Sequence, residues 1–246
     1  MFSIITCTKR EVAMNNVFAN YERQQYKEKE LIIVLNHDQM DLNKWEQTAK
    51  QYPNVSVFQL PAYITLGECY NFAIPKACYP YIVKFDDDDY YSAYYLLEAA
   101  RGLQESGADV VGKSTVFIYY LRHKLLTLYN ENKEFVYVRN RKELSNSYIV
   151  GATIVFRKDI YPNVSFEPIN VGEDTRFLEA CLQHNLLLYG TSRYNYVYIR
   201  YPRIGYHTST FQEYKLLEKS KRLRVTDDFQ DEIILPAEEI YKKKEE

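Results

Sequence analysis

Tyr81-Ile82-Val83-Lys84-Phe85-Asp86-Asp87-Asp88-Asp89 is the stretch on which the fold turns. A short, largely apolar run suited to a buried strand ends abruptly in four carboxylates. Carboxylates gathered at a strand end repel one another, and a hard divalent cation such as Mn²⁺ or Mg²⁺ relieves that repulsion through oxygen ligands. Alternation along an extended chain sends an alternating pair of them toward one ligand while the residue between points elsewhere. The plain alternative is a solvated acidic turn favouring the positive end of the next helix. What surrounds the run decides between them.

Upstream, Phe2–Thr6 reads as a first strand, and residues 11–25 place Ala13, Met14, Val17, Phe18 and Tyr21 on one helical face. Glu30–Leu35 is a continuous apolar run, as in a strand buried on both faces. Leu42–Tyr52 (helix), Val55–Leu60 (strand) and Leu66–Ala77 (helix) follow. Downstream of the aspartates, Ser92 is placed to cap a helix carrying Leu96, Ala99, Ala100 and Leu103, closed by Gly107. Ala108–Val111 returns as strand. This β-α-β-α order predicts a doubly wound, mostly parallel sheet, with ligands beyond the carboxyl ends of its strands. Thr6–Arg10, Asn36–Asp38 and Asp86–Asp89 all fall at those ends, which favours a metal site.

After residue 111 the pattern changes. Ser114–Tyr120 and Leu125–Tyr129 form a hairpin pattern, and Glu134–Val138 and Tyr148–Phe156 read as strands. Val171–Asn185 reads as a helix, and Leu186–Tyr189 and Tyr196–Tyr201 as strands. The organisation expected is one half over 1–110, a second half of the same domain over 111–210, and a charged tail over 211–246 with a helix at Phe211–Arg224.

The 246 residues suit one good-sized core. With 31 basic against 33 acidic residues, the chain lacks the positive field of a nucleic-acid binder. Its cysteines, Cys7, Cys69, Cys78 and Cys181, include no CxxC pair, so free thiols in a reducing compartment are expected. No apolar run approaches the roughly 18 residues of a membrane span, and Met1–Cys7 lacks the marks of a signal peptide. A cytoplasmic protein follows, with peripheral membrane association left open. The 25 tyrosines suit half-buried sheets and carbohydrate-facing clefts, and ordinary core and sheet packing accounts for most of them.

Gly172-Glu173-Asp174 opens a predicted helix. Its carboxylates serve there as favourable first-turn charges, or as a general base removing a proton from an acceptor hydroxyl. His207, in Gly205-Tyr206-His207-Thr208, sits in a polar loop after the last strand. Lys9, Arg10 and Lys84 are cations near the strand ends and candidates to neutralise phosphate.

Together these segments resemble the family-2 glycosyltransferases, a group with the GT-A (nucleotide-diphospho-sugar transferase) fold. Phe2–Arg10 looks like the family's opening strand and nucleotide loop, which assigns nucleotide contacts to Thr6, Thr8 and Arg10. Lys29–Asp38 resembles its second strand, whose acidic residue on the uracil would be Asp38. Gly67-Glu68-Cys69-Tyr70-Asn71 is similar to the glycine–asparagine helix before the metal strand, which brings in Gly67 and Asn71. Tyr81–Asp89 matches the Asp-x-Asp-Asp strand end, Gly151-Ala152 with Ile154–Arg157 the acceptor-half strand, and Gly172–Asp174 the Glu-Asp motif. The likeness runs in order over about residues 1–210 and sits nearest small bacterial enzymes of spore-coat or cell-wall glycan assembly. Asn36-His37-Asp38 departs from the usual Asp-Asp-Gly-Ser turn, and the Gln-x-x-Arg-Trp motif of processive synthases is missing.

The resemblance implies a smaller mixed sheet on the acceptor side and a metal-dependent inverting transfer from a nucleotide-sugar, a UDP-sugar first, to a hydroxyl of a glycan, lipid-linked or protein acceptor. Asp86 would meet the ribose or the metal, Asp88 the metal, and His207 the metal or diphosphate. Asp174 would be the base, with Glu173 its substitute. A sugar nucleotidyltransferase would want a glycine-rich loop where Thr6–Arg10 has no glycine. A catalytically degenerate binding or scaffold module is the other reading, set against intact Asp-x-Asp and Glu-Asp motifs.

Overall fold

The computed structural model describes residues 1–202 and 213–242. Its strands are β1 (Phe2–Thr8), β2 (Lys29–Leu35), β3 (Val55–Gln59), β4 (Tyr81–Lys84), β5 (Tyr90–Tyr91), β6 (Val110–Gly112), β7 (Val116–Tyr120), β8 (Leu125–Tyr129), β9 (Tyr137–Val138), β10 (Val155–Arg157), β11 (Leu188–Gly190), β12 (Tyr196–Arg200) and β13 (Ser220–Val225). Eight form one sheet in the order β3-β2-β1-β4-β10-β6-β11-β9, and five form a second in the order β13-β8-β7-β12-β5. β3, β2, β1 and β4 run parallel, and β11 runs parallel to β6. β10 slots in antiparallel between β4 and β6, so the large sheet takes strands from both sides of residue 110. The doubly wound, mostly parallel sheet with a smaller mixed one is the architecture expected.

The centre of the large sheet is apolar on both faces. Phe2 and Ile4 turn to a cluster with Val17, Phe18 and Trp45, while Ile5 and Val34 turn to one with Tyr70, Phe166 and Phe177. Each such buried side chain is worth about 1.5–3 kcal/mol of transfer from water, which makes β1, β2 and β4 a rigid platform for the loops at their ends. Helix Met14–Arg23 covers one face. Helix Leu66–Ala73, opened by a Thr65–Glu68 capping box, covers the other. Helix Tyr95–Ser106 ends at Gly107, whose φ of 63° is the left-handed value that glycine adopts without strain.

Several local expectations give way. Ser92 does not cap the Tyr95 helix; its hydroxyl is buried and donates to Asn195 Oδ1 at 2.7 Å. Tyr148–Phe156 is strand only from Val155, because Gly151–Thr153 turns as a 3₁₀ helix whose Ala152 carbonyl accepts from the Tyr91 hydroxyl. Of the helix expected at Phe211–Arg224, the described part is helical only over Glu213–Glu218, and two short helices, Gln230–Ile233 and Ala237–Ile240, follow later in the tail. Ser220–Val225 pairs antiparallel with β8 and so covers an edge of the smaller sheet that would otherwise be left unpaired.

A buried ion pair joins the two sheets' neighbourhoods. Lys113 Nζ lies 2.8 Å from Glu98 Oε1 and donates to the Ser192 carbonyl at 2.9 Å, while Ser192 and Asn195 side chains donate to the same carboxylate. Lys113→Met strands that carboxylate inside the protein. The expected loss is about 3–5 kcal/mol of unfolding free energy by urea titration, and a value under about 1 kcal/mol would show that the pair is dispensable.

Candidate functional site

β4 delivers the four aspartates to the edge of a cavity, and neighbouring elements hold the turn in shape. Asn16, in the Met14–Arg23 helix, donates from Nδ2 to the carbonyls of Asp87 at 3.0 Å and Asp89 at 2.9 Å. Asn20, one turn on, donates to the Asp89 carbonyl at 2.8 Å. The Asp86 amide donates to the Tyr91 hydroxyl at 2.8 Å, which itself donates to the Ala152 carbonyl at 2.7 Å. One tyrosine thus ties the acidic turn to the 3₁₀ turn at Gly151.

The four carboxylates have separate duties. Asp87 accepts from the Thr8 hydroxyl and from the Arg10 guanidinium. Asp89 accepts from the Tyr196 hydroxyl at 2.5 Å and the Ile199 amide at 3.0 Å, and burial pushes its carboxyl well up. Asp86 pairs with Lys84 at 3.0 Å, and Asp88 with Arg10 at 3.1 Å. Burial, with Asp87 adding and Arg10 opposing, pushes Asp88 up to about 7. Oxygens of Asp86, Asp88 and Asp89 lie within 4.8 Å of one another. Since both oxygens of Asp89 are engaged by the smaller sheet, this donor set fits a hard divalent cation held through Asp86 and Asp88.

Across the cavity, helix Glu173–Gln183 follows Gly172, whose φ of 81° lies in the left-handed region that favours glycine. Glu173 is buried, which raises its carboxyl, and lies 3.5 Å from Lys84 Nζ, which opposes that rise. Burial alone would lower the Lys84 ammonium, but Asp86, Tyr70, Glu173 and Asp174 together outweigh it and hold it well up. Asp174 Oδ1 accepts from the Thr175 amide at 2.7 Å, and the Thr175 hydroxyl meets that of Tyr148 at 3.0 Å. Asp174 Oδ2 packs against Gly151 so closely that a Cβ there would sit 1.8 Å from it.

The loop before this helix is held by the helix at residue 66. Asn71 donates to the Phe166 carbonyl at 2.8 Å and accepts from the Phe166 amide at 3.0 Å. A Cβ on Gly67 would lie 1.8 Å from the Glu167 carbonyl oxygen. The glycine–asparagine pair therefore seats the loop that presents Glu173 and Asp174.

These groups face one cavity of about 380 Å³, lined among others by Thr8, Arg10, Asp86, Asp88, Glu173 and Asp174. Tyr70, Tyr148, Tyr196 and Tyr198 supply aromatic wall. Thr6 is buried within β1, Asp38 accepts from the Ala62 amide at 3.2 Å, and both lie outside the lining, as do Gly67 and Asn71. His207 lies outside the described residues. A wider hollow of about 720 Å³ beside β3 is lined by Glu30, Tyr52 and Tyr79 but lacks the converging carboxylates, so the chemistry belongs to the smaller one. Sequence reasoning missed Asn16, Asn20, Tyr91, Tyr148 and Thr175. Only the asparagines left a signal: Asn16 and Asn20 lie one turn apart in the helix, and asparagine is a residue that favours caps and turns over helix interiors.

A glycosyl transferase family 2 model matches residues 3–164, from β1 through the acidic turn to beyond β10. The chain belongs to glycosyl transferase family 2. Among solved structures, this chain is similar in fold to residues 1–349 of TarS from S. aureus in complex with UDP-GlcNAc. That match has a TM-score of 0.64 at 20% identity, covering 86% of this chain and 61% of TarS 1–349. It is also similar to the mannosyltransferase PcManGT from Pyrobaculum calidifontis in complex with GDP-Man and Mn²⁺. There the TM-score is 0.59 at 14% identity, covering 84% of this chain and 58% of that one. At such identities the likeness is one of fold, and the chain spans less than two thirds of either structure. A comparison with curated proteins finds no significant match. No helix among the described residues is long and apolar enough to cross a membrane.

Proposed function

We propose that this glycosyltransferase moves one sugar, with inversion, from a nucleotide-sugar to an acceptor hydroxyl in cell-surface or spore-coat glycan synthesis, a UDP-sugar being the first donor to try. The observation that carries the reading is the shared cavity: Asp86 and Asp88 on one wall, Asp174 on the other. The ligands named for TarS and PcManGT support a nucleotide-sugar donor, and the Mn²⁺ of the second supports a divalent ion.

Asp86 and Asp88 would hold a Mn²⁺ or Mg²⁺ ion, which would supply Lewis-acid neutralisation of the departing diphosphate. Arg10, fixed by Asp87 and Asp88, adds positive charge on the same wall, beside the Thr8 hydroxyl at the strand end. Asp174 takes the acceptor proton as the hydroxyl oxygen bonds to the sugar. Glu173 suits that role less, because it is buried and tied to Lys84. The tyrosines offer apolar faces and hydroxyls to sugar rings. Glycan, lipid-linked and protein acceptors are all compatible with this wall.

Thermal stabilisation by UDP, GDP, CDP, dTDP and ADP, each with and without Mn²⁺, tests the donor site. A response that prefers one nucleotide and needs the metal supports it. No response to any of them would replace the enzyme reading with a degenerate binding module. Gly151→Ala gives a second check. Its Cβ must displace the Asp174 carboxylate, so turnover should fall by about 10²-fold with nucleotide binding retained. Equal loss of both would show that Gly151 serves the fold and not the base.

A further inference from the structure

Lys84 is a buried cation that the proposed mechanism does not use. It is the last residue of β4 and only 3% exposed. Its Nζ lies 3.0 Å from Asp86 Oδ1 and 3.5 Å from Glu173 Oε1, and 5.0 Å from the centroid of the Tyr70 ring. The two carboxylates come from opposite walls of the cavity. Asp86 belongs to the acidic turn, and Glu173 is the first residue of the helix whose second residue is Asp174.

Burying an ammonium is costly, and an apolar side chain at the end of an apolar strand would pack there at less cost. An ammonium on a four-carbon stem has three donors and reaches two acceptors that a carboxylate pair alone would push apart. Sequence alone offers Lys84 as a phosphate neutraliser, yet in the folded chain it is engaged by carboxylates.

We propose that Lys84 is a positioning residue that holds Asp86 and the helix carrying Asp174 in register, so that donor and base assemble at one fixed separation. The inference rests on the function proposed above. It has a consequence that a merely structural lysine lacks. The ammonium beside Asp86 competes with a divalent cation for that carboxylate, so removing it strengthens the metal site while loosening the base helix. Affinity and turnover then move in opposite directions.

The test is Lys84→Met, with Mn²⁺ alone titrated by calorimetry and nucleotide-sugar turnover measured on the same preparation. Mn²⁺ should bind tighter, by up to about tenfold, with kcat lower by about 10²-fold and donor KM not raised, since a shift near 1 Å in a reacting group costs that much. A kcat within threefold of the unaltered protein overturns the proposal, as does weaker Mn²⁺ binding in step with lost turnover. If Lys84→Met fails to fold, Lys84→Met/Glu173→Gln removes the more deeply buried of the two charges left unpaired and takes the same two measurements, with the same opposite movement expected. The unaltered protein separates the two levels of the argument. If it neither binds Mn²⁺ nor turns over any nucleotide-sugar, the proposed function fails; if it does both and the variant matches it, only the role of Lys84 fails.

Discussion

Asp174→Asn should bind nucleotide diphosphate as the unaltered protein does and lose about 10²- to 10⁴-fold in transfer rate, the usual worth of a positioned base. The substitution keeps the size of the side chain, and its amide carbonyl can still accept from the Thr175 amide, so the start of the Glu173–Gln183 helix should survive. What is lost is the capacity to take a proton. The nearest alternative, Glu173, does not step in, because it is buried against Lys84. Single-turnover transfer to a known acceptor is the measurement. Normal transfer by Asp174→Asn would remove the base assignment and turn attention to Glu173.

Asp88→Asn should abolish the metal dependence of nucleotide binding while leaving the metal-free protein as stable as before, or more so. Asp88 sits among Asp86, Asp87 and Asp89 at 8% exposure, and burial with Asp87 already pushes its carboxyl up to about 7. Neutralising it relieves that crowding, whereas a cation loses one of two ligands. The loss of Mn²⁺ affinity should exceed the roughly 10- to 100-fold that follows removal of an outer partner of a ligand. Calorimetry with Mn²⁺ and UDP reads the affinity, and a melting curve without metal reads the stability. A variant that still needs Mn²⁺ to bind nucleotide would place the ion on other residues.

The parts of the fold that sequence discloses are those in which one-dimensional pattern maps directly onto burial. Ile4, Ile5 and Ile32–Leu35 read as a sheet centre because strands covered on both faces are continuously apolar. Gly107 reads as a helix end because the left-handed turn there suits glycine. The acidic turn and the Glu-Asp helix start are equally plain, since charge at the edge of an apolar run is conspicuous. What stays hidden depends on partners distant in the chain. Tyr91 and Ala152 meet through a hydrogen bond whose ends carry no shared pattern. Gly67 and Asn71 fit the family's motif, but that they seat the Phe166–Glu167 backbone appears only once the loop is in place. Ser220–Val225 carries so many charges that its alternation is easily read as a solvated helix, until the free edge of β8 is seen beside it.

Release of nucleoside diphosphate from a panel of nucleotide-sugars, with Mn²⁺ and then with the metal chelated, tests the central claim most directly. The account predicts release from one donor class, UDP-sugars first, that needs the metal and is lost in both Asp88→Asn and Asp174→Asn. Release that persists under chelation and in Asp88→Asn, or no release from any donor in any metal, would contradict it.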